Sequence, residues 1–165
     1  MKAVVVYESH WGNTAAIARA IAEGLGPGSQ ALSTQEASGA ALADVQLVVA
    51  GAPVLGFRLP SDTFLASIAN NPGNSPARAD FTSPSLRSWL ERLPVGSGRS
   101  AAFETRIWWS PGGATGAIVA ELERAGYRSL DKPHRFIVRG KYGPLRDGEL
   151  ERARQWGAEL AQALA

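Results

Sequence analysis

A chain of 165 residues that is 45% hydrophobic and 19% charged has the size and balance of one folded domain with a continuous core. It contains no cysteine, which excludes disulfides, thiolate metal sites and thiol nucleophiles together. The formal charge is only +2 but unevenly spread: residues 1–83 hold four Lys/Arg against six Asp/Glu, and residues 84–165 hold thirteen against nine.

Ala3 to Tyr7 is apolar without alternation, as expected of a strand covered on both faces in a parallel sheet. Ile17, Ile21 and Leu25 then recur every fourth position among alanines, predicting an amphipathic helix closed by Gly24 or Gly26. "SQALST" (29–34) is a weaker second strand and "VQLVVAGAP" (45–53) a strong third. Helix is expected over 84–93, a fourth strand over 100–107, helix again over about 113–126, and a fifth strand over 134–140. The last helix is expected to start at Asp147 as N-cap, with Glu149 and Glu151 in its positive first turn. Residues 70–84, "NNPGNSPARADFTSP", have turn chemistry and no period, so an exposed, mobile loop is expected there.

Strands alternating with helices over 1–165 predict a single α/β domain. It is a three-layer sandwich around a five-stranded parallel sheet, in the order 2-1-3-4-5, with helices on both faces. Ligands of such sheets sit beyond the carboxyl ends of the strands, at the point where the winding reverses, here between the first and third strands. Three loops leave that edge: "ESHWGNT" (8–14), "GAPVLGFRLPSDT" (51–63) and "TRIWWSPGGATG" (105–116).

The first loop suits an oxyanion. Ser9, Asn13 and Thr14 offer donors, Gly12 lets the backbone approach closely, and the free N–H groups of the following helix point the same way. No lysine or arginine lies in it, so a bound phosphate would rest on dipoles and hydrogen bonds. The plainer alternative is a strand-to-helix turn in which Asn13 or Ser9 merely caps the helix.

"S-H-W-G-N-T" is similar to the flavodoxin phosphate signature T/S-x-T-G-x-T: Ser9, Gly12 and Thr14 match, Asn13 is a common choice, and Trp11 departs by replacing a threonine. With "YESHWGNTAAIARAIAEGL", "AAFETR" and "GPLRDGELERARQWG", most of the chain resembles a flavodoxin-like family whose members commonly read Y-E-S-x-x-G-N-T. Flavodoxins also exemplify the switch-point rule for the strand order 2-1-3-4-5.

The resemblance implies FMN as cofactor, with Ser9, His10, Trp11, Gly12, Asn13 and Thr14 around its phosphate. It places Pro53, Val54, Leu55, Gly56 and Phe57 beside the flavin ring, with Phe57 able to stack and Gly56 to permit the peptide flip known in flavodoxins. For the second loop, the alternative is an ordinary surface loop with one half-buried phenylalanine. The third loop carries Trp108 and Trp109, then Ser110 and Gly112. Adjacent tryptophans at a strand end cannot both face one side, so one is expected in the core and the other over the ring or lining a substrate pocket. Arg58 and Arg106 lie in or beside the flavin loops, where a positive charge favours a reduced, anionic flavin.

Other chemistries find no support. The dinucleotide fingerprint, the P-loop pattern and the nucleophile elbow are absent. The two histidines, His10 and His134, make no zinc cluster, and Ala50–Ala52 stand where a response regulator would carry its acceptor aspartate. Two functions compete, with a third reading behind them, a flavodoxin-like fold that has lost its flavin, which Trp11 alone supports. One is an electron carrier docking on a redox partner protein; the other is an FMN-dependent oxidoreductase acting on NAD(P)H and a quinone or other small acceptor. From Arg124 to Arg146 seven cations face one acid, Asp131, which suits an acidic partner or an anionic nucleotide. No nucleic-acid partner, membrane span or metal is expected, and the cytoplasm is the default compartment.

Overall fold

The computed structural model describes residues 1–71, 73 and 79–165. Its centre is one parallel sheet of β1 (Ala3–Tyr7), β2 (Ser29–Ser33), β3 (Leu47–Pro53), β4 (Arg99–Ile107), β5 (Arg128–Ser129) and β6 (His134–Val138). β2, β1, β3 and β4 lie side by side in that order, and β5 and β6 both pair with β4. Register is continuous across the middle: Tyr7 opposes Gly51, and Gly51 opposes Phe103.

The five expected strand positions are therefore filled by six strands, because the fifth arrives in two pieces. Ser129 pairs with Ser100 and His134 with Phe103, so four residues, 130–133, stand opposite Ala101 and Ala102. Pro133 within that excess has no amide hydrogen to donate to a ladder. Asp131 is turned aside, and its carboxylate accepts from the Trp156 indole at 2.8 Å.

Both faces of the sheet are covered, which is why β1 and β3 read as unbroken apolar runs. On one face Ala3, Val5, Leu47 and Phe103 pack under α1 (Asn13–Leu25) and α5 (Glu149–Leu164). On the other, Val4, Val6, Val48 and Ala102 pack under α3 (Leu86–Glu91) and α4 (Thr115–Arg124). α1 and α5 touch backbone to backbone: a Cβ on Gly24 would stand 1.9 Å from the Arg154 carbonyl oxygen, and one on Gly157 2.2 Å from that of Ile21.

α2 (Asp62–Asn70) was not anticipated by pattern, since it buries Leu65 alone; Ser61 caps it by accepting from the Phe64 amide at 3.2 Å. The loop expected from 70 to 84 falls partly on 72 and 74–78, which lie outside the described residues. Its far end is tied down, the Asp80 amide donating to the His10 carbonyl at 2.8 Å. α5 begins one residue later than expected: Gly148 is its N-cap at φ 86°, while Asp147 is exposed and pairs with Arg139 at 3.0 Å. No described helix is long and apolar enough to cross a membrane.

Candidate functional site

β1 ends at Tyr7, and the chain turns through Ser9–Gly12 into α1. Gly12 is the N-cap, at φ 91°, where a Cβ would be strained even though it would meet no atom within 4 Å. Glycine is needed here for the turn itself rather than for closeness to a neighbour. No side chain caps α1, so neither Asn13 nor Ser9 is a helix cap, and the first-turn amides keep their donors free of a capping side chain. Asn13 instead reaches across the molecule, its Nδ2 donating to the Tyr142 carbonyl at 3.1 Å. Thr14 is buried against Thr105, Oγ1 to Oγ1 at 2.8 Å.

Two polar atoms in this loop are buried with no hydrogen-bond partner among the described residues: Ser9 Oγ and Trp11 Nε1. Leaving such a group unsatisfied costs about 1–3 kcal/mol. Where the flavodoxin signature has a threonine hydroxyl, this chain thus brings an indole N–H. Both atoms belong to residues lining one narrow cleft of ≈ 60 Å³ at the carboxyl edge of the sheet. The cleft is also lined by His10, Asn13, Thr14, Pro53, Val54, Leu55, Thr105, Arg106 and Lys141. Gly12, Gly56, Phe57, Trp108, Trp109, Ser110 and Gly112 do not line it; they sit on the same three loops.

Beneath the phosphate-type loop His10 is buried between two acceptors. Its Nδ1 lies 2.7 Å from the Asp80 carbonyl, which can only accept, so Nδ1 carries a hydrogen. Its Nε2 lies 2.8 Å from Glu8 Oε2, and Phe81 stacks on the ring at 4.7 Å between centroids. Burial acts to lower the imidazole pKa, but the Glu8 hydrogen bond and charge, with the Asp80 carbonyl, outweigh it and hold His10 above the ordinary histidine value. The other carboxylate oxygen of Glu8 accepts from the Leu86 amide, the first of α3, at 2.8 Å. Glu8 and Asp80 were not anticipated as parts of this loop's support. Glu8 stands in the motif itself, whereas nothing in the sequence links Asp80 to it.

The second loop is a two-residue turn. Leu55 and Arg58 exchange backbone hydrogen bonds at 3.2 and 3.4 Å, and the corners Gly56 and Phe57 sit at φ 61° and 66°. Two positive corners are the type I′ pattern, natural for Gly56 and strained for Phe57. Turning over the peptide between them would give the II′ pattern, which keeps Gly56 positive and returns Phe57 to negative φ. The Phe57 side chain is 60% exposed, and its carbonyl accepts from Gly113 at 3.1 Å, joining the second loop to the third.

In the third loop both tryptophans face outward, Trp108 74% and Trp109 63% exposed, so neither is core. β4 ends at Ile107, and strand alternation does not extend into the turn that follows. Arg106 is not a free positive charge beside the cleft either. It is 5% exposed and its Nη1 donates to Glu104 Oε2 and to the Gly112 carbonyl, both at 2.8 Å, while Nη2 donates to the Ser110 carbonyl. Glu104 Oε1 accepts the Ala114 and Thr115 amides at the start of α4, at 2.9 and 3.2 Å. Arg58 is exposed.

The basic stretch is less open than its sequence. Arg124 pairs with Glu121 at 2.8 Å, Arg139 with Asp147 at 3.0 Å and Arg146 with Glu149 at 3.1 Å. Among the described residues Arg128, Lys132, Arg135 and Lys141 make no ion pair.

No protein-family model matches the sequence, and no curated protein matches it. Solved structures do match over the whole chain. A flavodoxin from the domain Archaea is 20% identical, with 99% of each chain covered and a TM-score of 0.69. Flavodoxin 1 from Bacillus cereus is 18% identical, with both chains fully covered and a TM-score of 0.68. The rubredoxin oxygen:oxidoreductase of Desulfovibrio gigas is 17% identical at a TM-score of 0.61; the match takes 99% of this chain but 36% of that one. The architecture is the flavodoxin-like α/β fold.

Proposed function

We propose that this chain binds FMN at the carboxyl edge of its sheet and serves in electron transfer. One observation carries the reading: Ser9 Oγ and Trp11 Nε1 are buried donors with no partner among the described residues, in the loop that leads into the uncapped start of α1. A phosphate oxygen there supplies what both lack and takes up the positive end of the helix dipole. The fold and the resemblance of "SHWGNT" to the flavodoxin signature support a phosphorylated flavin as its bearer.

In this reading Ser9, Trp11 and the amides of Gly12, Asn13, Thr14 and Ala15 hold the phosphate, and Thr105 fixes the Thr14 hydroxyl. Pro53, Val54 and Leu55 form an apolar wall, and His10 braces the loop from behind. Phe57, Trp108 and Trp109 supply aromatic surface beside Gly56, Ser110 and Gly112, for the ring and for what docks on it. Bound FMN supplies one- and two-electron redox chemistry, and the protein sets its orientation and exposure.

A carrier is favoured over an enzyme acting on NAD(P)H and a small acceptor. Of the titratable side chains lining the cleft, His10 has both nitrogens engaged and Arg106 is locked to Glu104, which leaves Lys141 as the one without a carboxylate partner among the described residues and no acid–base pair at the cleft. The test is turnover of NAD(P)H with a quinone by the FMN-loaded protein, set against free FMN at equal concentration. A carrier gives rates no higher than free FMN, whereas a large excess over it makes the chain an oxidoreductase.

A further inference from the structure

The loop that completes this cleft comes from the far end of the chain. Residues 139–148 connect β6 to α5, and the loop within them is pinned at its base: the Arg139 amide donates to the Pro144 carbonyl and the Arg146 amide to that of Ile137, each at 2.9 Å. Their middle is pressed onto the phosphate-type loop. Asn13 Nδ2 donates to the Tyr142 carbonyl at 3.1 Å, and the Trp11 ring meets the Tyr142 ring edge-on at 5.0 Å. A Cβ on Gly143, which sits at φ 98°, would stand 2.6 Å from Asn13 Oδ1, so a side chain there would be strained and would have to displace the Asn13 amide.

This contact carries Lys141 to the wall of the cleft that Ser9, Trp11, Asn13 and Thr14 also line. Its ammonium lies over the Tyr142 ring, 5.5 Å from the centroid, and pairs with no carboxylate among the described residues. The other cations near the loop are spoken for: His10 by Glu8, Arg106 by Glu104. A second cleft, which Ser9, His10, Trp11 and Gly12 also line, holds Arg19, but Glu36 and Asp80 line it too and offset that charge. An anion at the start of α1 is therefore drawn to the Lys141 side.

We infer that Lys141 is the charge partner of the phosphate in this site, and that preference for a phosphorylated flavin over an unphosphorylated one resides largely in it. The inference rests on the FMN reading above. A mobile ammonium with three donors suits a phosphomonoester, which it engages as a point charge while the loop amides and the Ser9 and Trp11 donors set direction. It departs from the expectation that dipoles and neutral hydrogen bonds alone would hold the anion. The motif loop is neutral, and the fold adds the cation.

The test is fluorescence titration of FMN and of riboflavin against wild type, Lys141→Ala and Lys141→Arg, at low and high salt. Lys141 is exposed, so unchanged melting temperatures of the variants are expected and serve as control. Lys141→Ala should weaken FMN by about tenfold, leave riboflavin within about twofold and flatten the salt dependence, while Lys141→Arg keeps most of the FMN affinity. Two results overturn the inference with the FMN reading intact: an alanine variant that binds FMN as the wild type does, or one that loses both flavins equally. Wild-type protein that binds neither flavin brings down the FMN reading, and Lys141's role with it.

Discussion

Glu8 with His10 and Glu104 with Arg106 are one arrangement set twice into the carboxyl edge of the sheet, just past the end of β1 and within the end of β4, the two strands that flank β3. Each carboxylate is buried and accepts amides at the start of a helix on the same face, Leu86 of α3 in one case, Ala114 and Thr115 at α4 in the other. Each is paired with a cation two residues further on, and that cation holds carbonyls of a more distant segment: Asp80 for His10, Ser110 and Gly112 for Arg106. The difference lies in the cation. A guanidinium stays charged at any pH at which the fold survives, whereas an imidazole titrates. The tryptophan loop is thus braced permanently, and the phosphate-type loop is braced by a group that answers to pH.

Breaking the permanent pair has the largest effect. Glu104→Gln leaves the buried Arg106 without its counter-charge and should lower the unfolding free energy by about 3–5 kcal/mol, read by urea denaturation. A loss under about 1 kcal/mol would mean that the carbonyls of residues 110 and 112 alone suffice to hold the guanidinium.

The titratable pair separates from it along the pH axis. The folded-state pKa of His10 is raised, so its contribution to stability is complete below the ordinary value of about 6.5 and fades as pH climbs through the folded value. Glu8 and Asp80 are the charged residues it faces. His134, lowered chiefly by burial, runs the other way, which is why the comparison must be made against a His10→Gln variant. Urea denaturation from about pH 6 to pH 9 should bring the wild-type and His10→Gln curves together as pH rises. Curves that stay parallel would show that the pair carries no proton-linked stability.

A smaller effect, opposite in kind, is expected where a polar group is buried without a partner. Ser9→Ala removes a desolvated hydroxyl, so stability without flavin should be unchanged or rise by about 1 kcal/mol. FMN affinity should meanwhile fall by about fivefold. Unlike Glu104, then, Ser9 would be kept for binding at no gain to the fold. A variant that is clearly destabilised yet binds FMN normally would reverse that assignment.

The strands that carry the site were legible because β1 and β3 are covered on both faces, and a run such as Val4–Val6 has no other reading in a chain of this kind. α1 was legible from Ile17, Ile21 and Leu25, all buried where the period put them. α2 escaped because a helix burying one residue leaves no period to find. The split of the fifth strand turned on two extra residues of spacing across Leu130–Pro133, which registers only against β4.

Within the candidate site the motif pointed to Ser9, Gly12 and Thr14, but not to what supports them. Thr105, Asp80, Lys141 and Tyr142 come from distant stretches that only the fold brings to the loop. The tryptophan pair misled because alternation was extended past Ile107. Arg106 misled because its partner Glu104 sits two residues away on the same strand face, a spacing that is visible in sequence yet silent about burial.

The central claim is that the buried, unpartnered donors of the first loop mark a flavin phosphate site. Titrating the purified protein with FMN while following flavin fluorescence tests it most directly. Saturable quenching at one FMN per chain, with weaker binding of riboflavin, is the expected result; fluorescence that stays at the free-FMN value throughout would contradict it.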